Sequence, residues 1–510
     1  MNFNDFLTMR HELMLTLLAL VVLIIDLNLH NRDKHYIIPI TLGLFFLNTL
    51  VGFIPEASNT LFGGMYQTDP LRVMMKNILN IGVLIILLQS VTWLKKEENR
   101  EKISEYFILL FSTLIGMNFM ISSGDFLMFY LGLELATIPV AALAAYTHHQ
   151  HKSAEAGIKL ILSSALSSGI LLFGISMIYG STGSIYFDTI TKVYANTPLQ
   201  LLAFIFFFSG MSFKISLVPF HLWTADVYEG APINVTSYLS VISKGAAAFI
   251  LIIVMFTVFS SLAAVYKNIL YLIAVLTMTV GNLFAMRQKN MKRFLAFSSI
   301  AQAGFILLGI LGGNVMGMTS VIYFVLVYIF SNLGAFGVVS AISTVTGKES
   351  MDDYDGLYST NPKLSLLMML ALFSLAGIPP VAGFFGKFFL FASAASAGYY
   401  WLVFIAVLNA TISLYYYLLV VKAMFINKNE TPLAYFKSDL ATRAGLLIAG
   451  LGIFFLGFYA KIYEIIAALA SGFCNSRGQR ARWMELGAEG MELGGKEHGA
   501  KGMEHGAFGL

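Results

Sequence analysis

The sequence predicts an all-α polytopic membrane protein of about fourteen transmembrane helices, and three observations carry that prediction. Apolar runs of about twenty residues, the length that crosses a hydrocarbon core as a helix, recur from near the N-terminus to about residue 470. Hydrophobic residues make up 57% of the 510 and charged residues only 12%, against about 25% charged in an ordinary soluble domain. The polar stretches between the runs are short, so no soluble domain of useful size remains.

Bounded by those stretches, the runs fall at about 11–29, 36–54, 71–93, 104–122, 125–146, 155–179, 199–223, 233–260, 267–286, 291–312, 317–343, 361–397, 400–425 and 442–469. The first lacks a basic leader and a small-residue cleavage site, which marks a retained helix rather than a signal peptide. Lysine and arginine concentrate in HNRDKH (30–35), KKEENREK (95–102), RQKNMKR (287–293) and the loops near Lys348, Lys363, Lys428 and Lys437. The stretches GSTGSIYFDTI and LGGNVMG are poor in them. The positive-inside rule then starts the first helix on the outer, periplasmic side, and an even number of crossings returns the C-terminus there.

Two runs are interrupted. The segment 361–397 is too long for one straight crossing and contains Gly377, Pro379 and Pro380 in SLAGIPPVAGFFGKFFLF. Proline removes an amide donor and clashes with the carbonyl one turn back, so this segment is expected as two half-helices. A milder break, at Gly210 and Pro219, interrupts 199–223 in SGMSFKISLVPFHLW. The interruptions lie five helices apart, each beside a lysine. Paired discontinuities of this kind point to inverted repeats with ion sites near the bilayer midplane.

The expected organisation is a three-helix N-terminal segment (1–103), a first five-helix repeat (104–260), a second (261–426), a C-terminal helix (427–470) and a tail (471–510). The tail repeats MELG and MEHG, has no apolar period, and is expected to be disordered.

Composition excludes several functions. The net charge is +4 and no continuous basic surface is encoded, so nucleic acid is not an expected partner. A single cysteine, Cys474, excludes an internal disulfide and thiolate-bound zinc or iron–sulfur clusters, so a redox cofactor must lie outside this chain. No phosphate-binding loop, dinucleotide fingerprint, nucleophile elbow or HExxH is present. His148, His149 and His151 in THHQHK lack acids or cysteines at ligand spacing, and His498 and His505 lie in the glycine-rich tail; no metal is expected at either place.

The informative residues are charges inside apolar runs, each costing about 2.5–3.5 kcal/mol to insert. Glu134 lies in FLMFYLGLELATIPVAALAAY, Lys214 in GMSFKISLVPF, Lys244 in SYLSVISKGAAAFIL and Lys387 in GFFGKFFLF. One reading is a buried ion pair that holds helices in register, although such pairs add little net stability over apolar packing. The other is a proton path. Burial disfavours a lysine's charged form and a neighbouring carboxylate restores it, so a lysine whose partner moves takes up and releases a proton. Lys159 follows Glu155 by one turn and reads equally as a relay site or a solvated pair. His221, just past Pro219, reads equally as a group that passes protons toward the inner side, since an imidazole titrates near neutrality, or as a histidine bonded to backbone at a helix end. Asp226 and Glu229 in TADVYEGAP read first as cytoplasmic loop acids, with the lining of a proton entrance as the alternative.

The strings LGLELATIPVAAL, SFKISLVPFHLWTADVYEGAP, QKNMKRFLAFSSIAQAGF and SLAGIPPVAGFFGKFFLF resemble NADH-quinone oxidoreductase subunit N over residues 1 to about 470. That family is one of three antiporter-like proton-channel subunits in the membrane arm of respiratory complex I. The resemblance implies fourteen helices, two inverted five-helix repeats serving as half-channels, and discontinuous seventh and twelfth helices. It further implies an input pair Glu134 and Lys214, a central relay Lys244, an output residue Lys387, and a helix-start anchor at Lys292. A lysine in the twelfth helix is more like subunit N than subunit M. NADH, FMN, iron–sulfur clusters and quinone would belong to partner subunits. The implied partners are subunit M, the small K/J/A-type subunits and lipid, in the cell inner membrane. Two other readings remain open at this stage, an Mrp-type cation/proton antiporter subunit and a non-conducting scaffold of the membrane arm.

Overall fold

A computed structural model describes residues 6–476, apart from 196, 430 and 431. Within them, 13 helices are long and apolar enough to cross a membrane. A further crossing is assembled from two shorter pieces, which makes fourteen. The N-terminal segment contributes α1 (Arg10–Asn28), α2 (Ile37–Gly52) and α3 (Pro70–Leu94), with a small antiparallel hairpin, β1 (Asn59–Leu61) and β2 (Tyr66–Thr68), between the last two.

Five crossings follow: α4 (Ile103–Ile121), α5 (Phe126–Ala144), α6 (His151–Thr182), the broken pair α7 (Pro198–Ile215) and α8 (Leu222–Gly230), and α9 (Ile233–Tyr238) running through a π turn into α10 (Lys244–Thr257). The next five are α11 (Ala263–Ala285), α12 (Met291–Gly312), α13 (Val315–Thr346), the broken pair α14 (Pro362–Ala376) and α15 (Ala382–Ser396), and α16 (Tyr400–Phe425). In each set the fourth crossing is the broken one. An odd number of crossings per set makes the second traverse the membrane in the opposite sense, which is the inverted repeat.

Helix starts follow local chemistry. Asp125 accepts from Met128 N at 2.8 Å and Asn314 from Gly317 N at 2.8 Å, while Thr197 and Gln200 form a capping box ahead of Pro198. The sets also share a packing device. A methyl on Gly116 of α4 would lie 2.7 Å from the Leu135 carbonyl carbon of α5, and one on Gly281 of α11 would lie 2.6 Å from Ala301 N of α12. Backbones approach this closely in membranes only where the side chain is missing. The spans containing α10, α12 and α13 are almost wholly buried, whereas α1, α6 and α16 present broad exposed faces. Helices that are apolar all round form the centre of the body.

Three expectations are corrected. Gly210 does not lie at the seventh-helix break; it sits inside α7, where the missing side chain admits Leu171 and lets Ser167 donate to its carbonyl at 3.3 Å. The break is carried instead by Ser216, in the left-handed region at φ 66, ahead of Pro219. The expected final helix is two, α17 (Leu440–Phe458) and α18 (Lys461–Ser476), parted at Tyr459. Finally, α18 extends into the expected tail, so residues 471–476 are helical; the rest of the tail, with His498 and His505, lies outside the described residues.

Candidate functional site

Both breaks interrupt the backbone ladder at the end of an apolar helix, and both are stitched by named groups. In the first, Leu217 N donates to Ser212 O at 2.8 Å and Val218 N to Thr277 Oγ1 at 3.1 Å. In the second, Gly377 takes φ 88 and caps α14, and Gly383 N donates to Ser374 Oγ at 3.1 Å. Residual carbonyls at these ends remain available to cations.

Lys214 occupies the last turn of α7. Its Nζ donates to Thr137 Oγ1 on α5, one turn beyond Glu134. Glu134 Oε1 is buried without a hydrogen-bond partner among the described residues. The two implied members of the input pair therefore stand on facing helices with Thr137 holding the ammonium. Thr137, Ser164, Ser167, Ser168 and Lys214 border a cavity of about 10 Å3, the space that about one water requires.

Lys244 follows directly on the π turn Leu239–Ser243. Insertions of this kind re-aim a side chain and cluster at functional sites. Its Nζ, in a residue only 4% exposed, donates to Ser299 Oγ of α12 at 2.7 Å and lies 5.5 Å from the centre of the Tyr228 ring. Ile215, beside Lys214, lines the same small cavity as Lys244, Ser299, Gln302 and Tyr328. The end of α7 is thus shared by the surroundings of both lysines.

Gln302 stands one turn beyond Ser299 on the same face of α12. Its Nε2 donates to Leu375 O at 3.1 Å. The next residue, Ala376, ends α14, and its carbonyl accepts from Lys387 Nζ at 2.9 Å. Lys387 also lies 4.8 Å from the centre of the Phe305 ring. Polar groups therefore line the way from Lys244 through Ser299 and, across the small cavity that both border, Gln302 to the carbonyl end of α14, where Lys387 is held; Ser299 itself donates to Ala296 O at 2.7 Å. Tyr417 joins it from α16, its hydroxyl 2.5 Å from Ser298 Oγ and 3.4 Å from Gln302 Nε2.

Lys159 and His221 lie elsewhere. Lys159 is half exposed and pairs with Glu155 at 2.7 Å and Asp226 at 2.7 Å. Asp226 and Glu229 on α8 also bind Arg293, at 2.7 and 3.1 Å, and Glu229 binds Lys152 at 2.9 Å. This network ties α6, α8 and α12 around an interfacial hollow. His221 is buried at the start of α8. Lys292 pairs with Glu349 at 3.1 Å and donates to Ala231 O at 3.4 Å, as suits a helix-start anchor.

Sequence reasoning passed over Thr137, Ser299, Gln302 and Arg293. The available signal was helical spacing: Thr137 lies three residues from Glu134 and Gln302 three from Ser299. Single hydroxyls and amides in apolar helices are too common to stand out without the partner helix.

Buried lysines set at and between two helix breaks, in a predominantly helical membrane body of two inverted repeats, are the arrangement of an antiporter-like membrane subunit. Residues 123–413 match the family model described as NADH:quinone oxidoreductase/Mrp antiporter, TM, and the chain belongs to that family. It is 52% identical to NADH-quinone oxidoreductase subunit N of Phocaeicola vulgatus, over 92% of this chain and 100% of that one. Among solved structures it resembles a chain of respiratory complex I from Thermus thermophilus with bound aureothin, at TM-score 0.75 and 29% identity, covering 90% of this chain and 99% of that one. A chain of the Mrp complex from Dietzia sp. DQ12-45-1b shares the fold at TM-score 0.80 and 19% identity, over 95% and 100% of the two chains.

Proposed function

We propose that this chain is a proton-translocating subunit in the membrane arm of an NADH-quinone oxidoreductase, in the cell inner membrane with its N-terminus on the outer side. NADH, FMN, the iron–sulfur clusters and quinone belong to partner subunits, so the chemistry assigned here is proton transfer alone. The neighbours are an antiporter-like subunit M, the small K/J/A-type subunits and lipid. Sequence identity to a subunit N over nearly the whole chain supports this assignment over an Mrp-type antiporter subunit.

One observation carries the reading, the polar line from Lys244 through Ser299 and Gln302 to the Ala376 carbonyl that holds Lys387. In the cycle we infer, Glu134 stabilises the charged form of Lys214. When the ammonium turns to Thr137, that support is lost and the proton passes to Lys244, then along the Ser299–Gln302 face to Lys387 and out. Lys159 and His221 serve the entry side, with Asp226 and Glu229 gathering protons at the hollow they border.

The test is proton uptake per NADH oxidised, measured with the whole complex in sealed vesicles. Lys244→Ala and Glu134→Ala complexes are expected to show a reduced ratio. An unchanged ratio in both would remove the relay and leave a scaffold.

A further inference from the structure

The mechanism uses nothing in the N-terminal three-helix segment, yet that segment contains the most deeply buried ion pair among the described residues. Lys76 of α3 is 0% exposed and its Nζ lies 2.6 Å from Glu12 Oε1 of α1. Tyr66 of β2 closes the cluster: its hydroxyl donates to Glu12 Oε2 at 3.0 Å and accepts from Lys76 Nζ at 3.0 Å. Three elements thus converge on one charge pair, near the membrane face at which α1 begins. The hairpin carrying Tyr66 is pinned over it, with Gln67 N donating to Ser122 O at 2.7 Å and Gly124 N to Met65 O at 2.7 Å.

Directly beneath lie polar groups without partners. Asn80 is one turn along α3 from Lys76 and fully buried, and neither atom of its amide has a hydrogen-bond partner among the described residues. Asn77 Oδ1 and His11 Nε2 are likewise buried and unpartnered, and both side chains occupy the space that a Cβ on Gly52 would need. Leaving such groups dry costs about 1–3 kcal/mol each. The Asn80 amide, the Asn77 oxygen (its nitrogen donates to Gly52 O at 2.9 Å) and the His11 Nε2 of α1 supply the several polar contacts that an internal water requires. The position matters as well. Leu79, next to Asn80, packs 3.4 Å from where a Cβ on Gly245 would stand, so this turn of α3 lies against the residue that follows Lys244. On the other side, Glu56 and Arg10 flank the ion pair, themselves paired at 3.5 Å; burial pushes the Glu56 carboxyl above its ordinary value against the pull of Arg10 and Lys76.

We propose that Asn80, Asn77 and His11 bind internal water in a pocket beside the Lys244 helix, and that Glu12, Lys76 and Tyr66 form the plug that separates this water from the nearby membrane face. A pumping subunit must not leak, and a closed ion pair at the mouth of a hydrated pocket prevents it. The inference concerns passive tightness, so it stands or falls separately from the relay proposed above.

The experiment is the decay of an imposed pH gradient across sealed liposomes containing the whole complex, without NADH. Glu12→Gln and Lys76→Met are expected to speed the decay several-fold over the unsubstituted complex, and adding Asn80→Leu, which fills the pocket with an apolar group, is expected to restore the original rate. Where charge removal blocks assembly, Glu12→Asp keeps the charge but shortens its reach and is expected to leak as well. Decay at the unsubstituted rate in every assembled plug variant would overturn the proposal, as would a leak that Asn80→Leu leaves unchanged. Normal tightness combined with a lowered pumping ratio in Lys244→Ala would reject the plug and keep the relay.

Discussion

Lys387 Nζ donates to the carbonyl of Ala376 across the twelfth-helix break, 2.9 Å away. The contact joins the two halves of the crossing and gives a buried ammonium the partial negative charge of a helix C-terminus. Helix break and charge are therefore one arrangement: the break frees the carbonyl, and the carbonyl holds the lysine.

The break leaves no room at Gly383, where an added Cβ would overlap the Ser374 carbonyl. Gly383→Ala must part α14 from α15, and overpacking of this kind costs about 1–3 kcal/mol or more. The amount of assembled complex on native gels is expected to fall, whereas Gly472→Ala, at a glycine with open space around it, should leave it unchanged.

Ser299→Ala removes the hydroxyl that holds Lys244. A hydrogen bond to a charged group contributes about 1.5–3 kcal/mol, so a proton-transfer step through Lys244 should slow roughly ten- to hundredfold. Pre-steady-state proton release checks this, with Ser299→Thr, which keeps the hydroxyl, recovering most of the rate.

Gln302→Leu preserves apolar bulk but removes the amide between Ser299 and the end of α14. Assembly should persist, because Tyr417 retains its contact with Ser298. Protons moved per NADH oxidised should fall, and a normal ratio would show that Gln302 is only a packing residue.

Arg293→Gln tests the interfacial network differently. Its side chains are about a third exposed, and pairs of that kind contribute about 1 kcal/mol or less. The thermal midpoint of the complex should scarcely move, while the salt dependence of proton uptake at the entry side should change.

Much of this architecture was legible because membrane insertion imposes simple rules. Apolar length located the crossings, and the twelfth-helix break was announced by Gly377 and the two prolines after it. The seventh-helix break was misplaced because Ser216 adopts a backbone conformation associated with glycine, whereas Gly210 is needed for close packing. Glu134, Lys214, Lys244 and Lys387 stood out because charge in hydrocarbon is costly. Glu12 and Lys76 did not, since each lies near the end of an apolar run and passes for a flanking charge; only the folded helices bring them together. Ser299 and Gln302 gained meaning only once α12 was seen between α10 and α14.

The most direct test of the central claim is the ratio of protons pumped to NADH oxidised in the intact complex carrying Lys387→Met, in sealed vesicles. A relay ending at Lys387 predicts a lowered ratio with the complex assembled and still oxidising NADH. A ratio equal to that of the unsubstituted complex would contradict it.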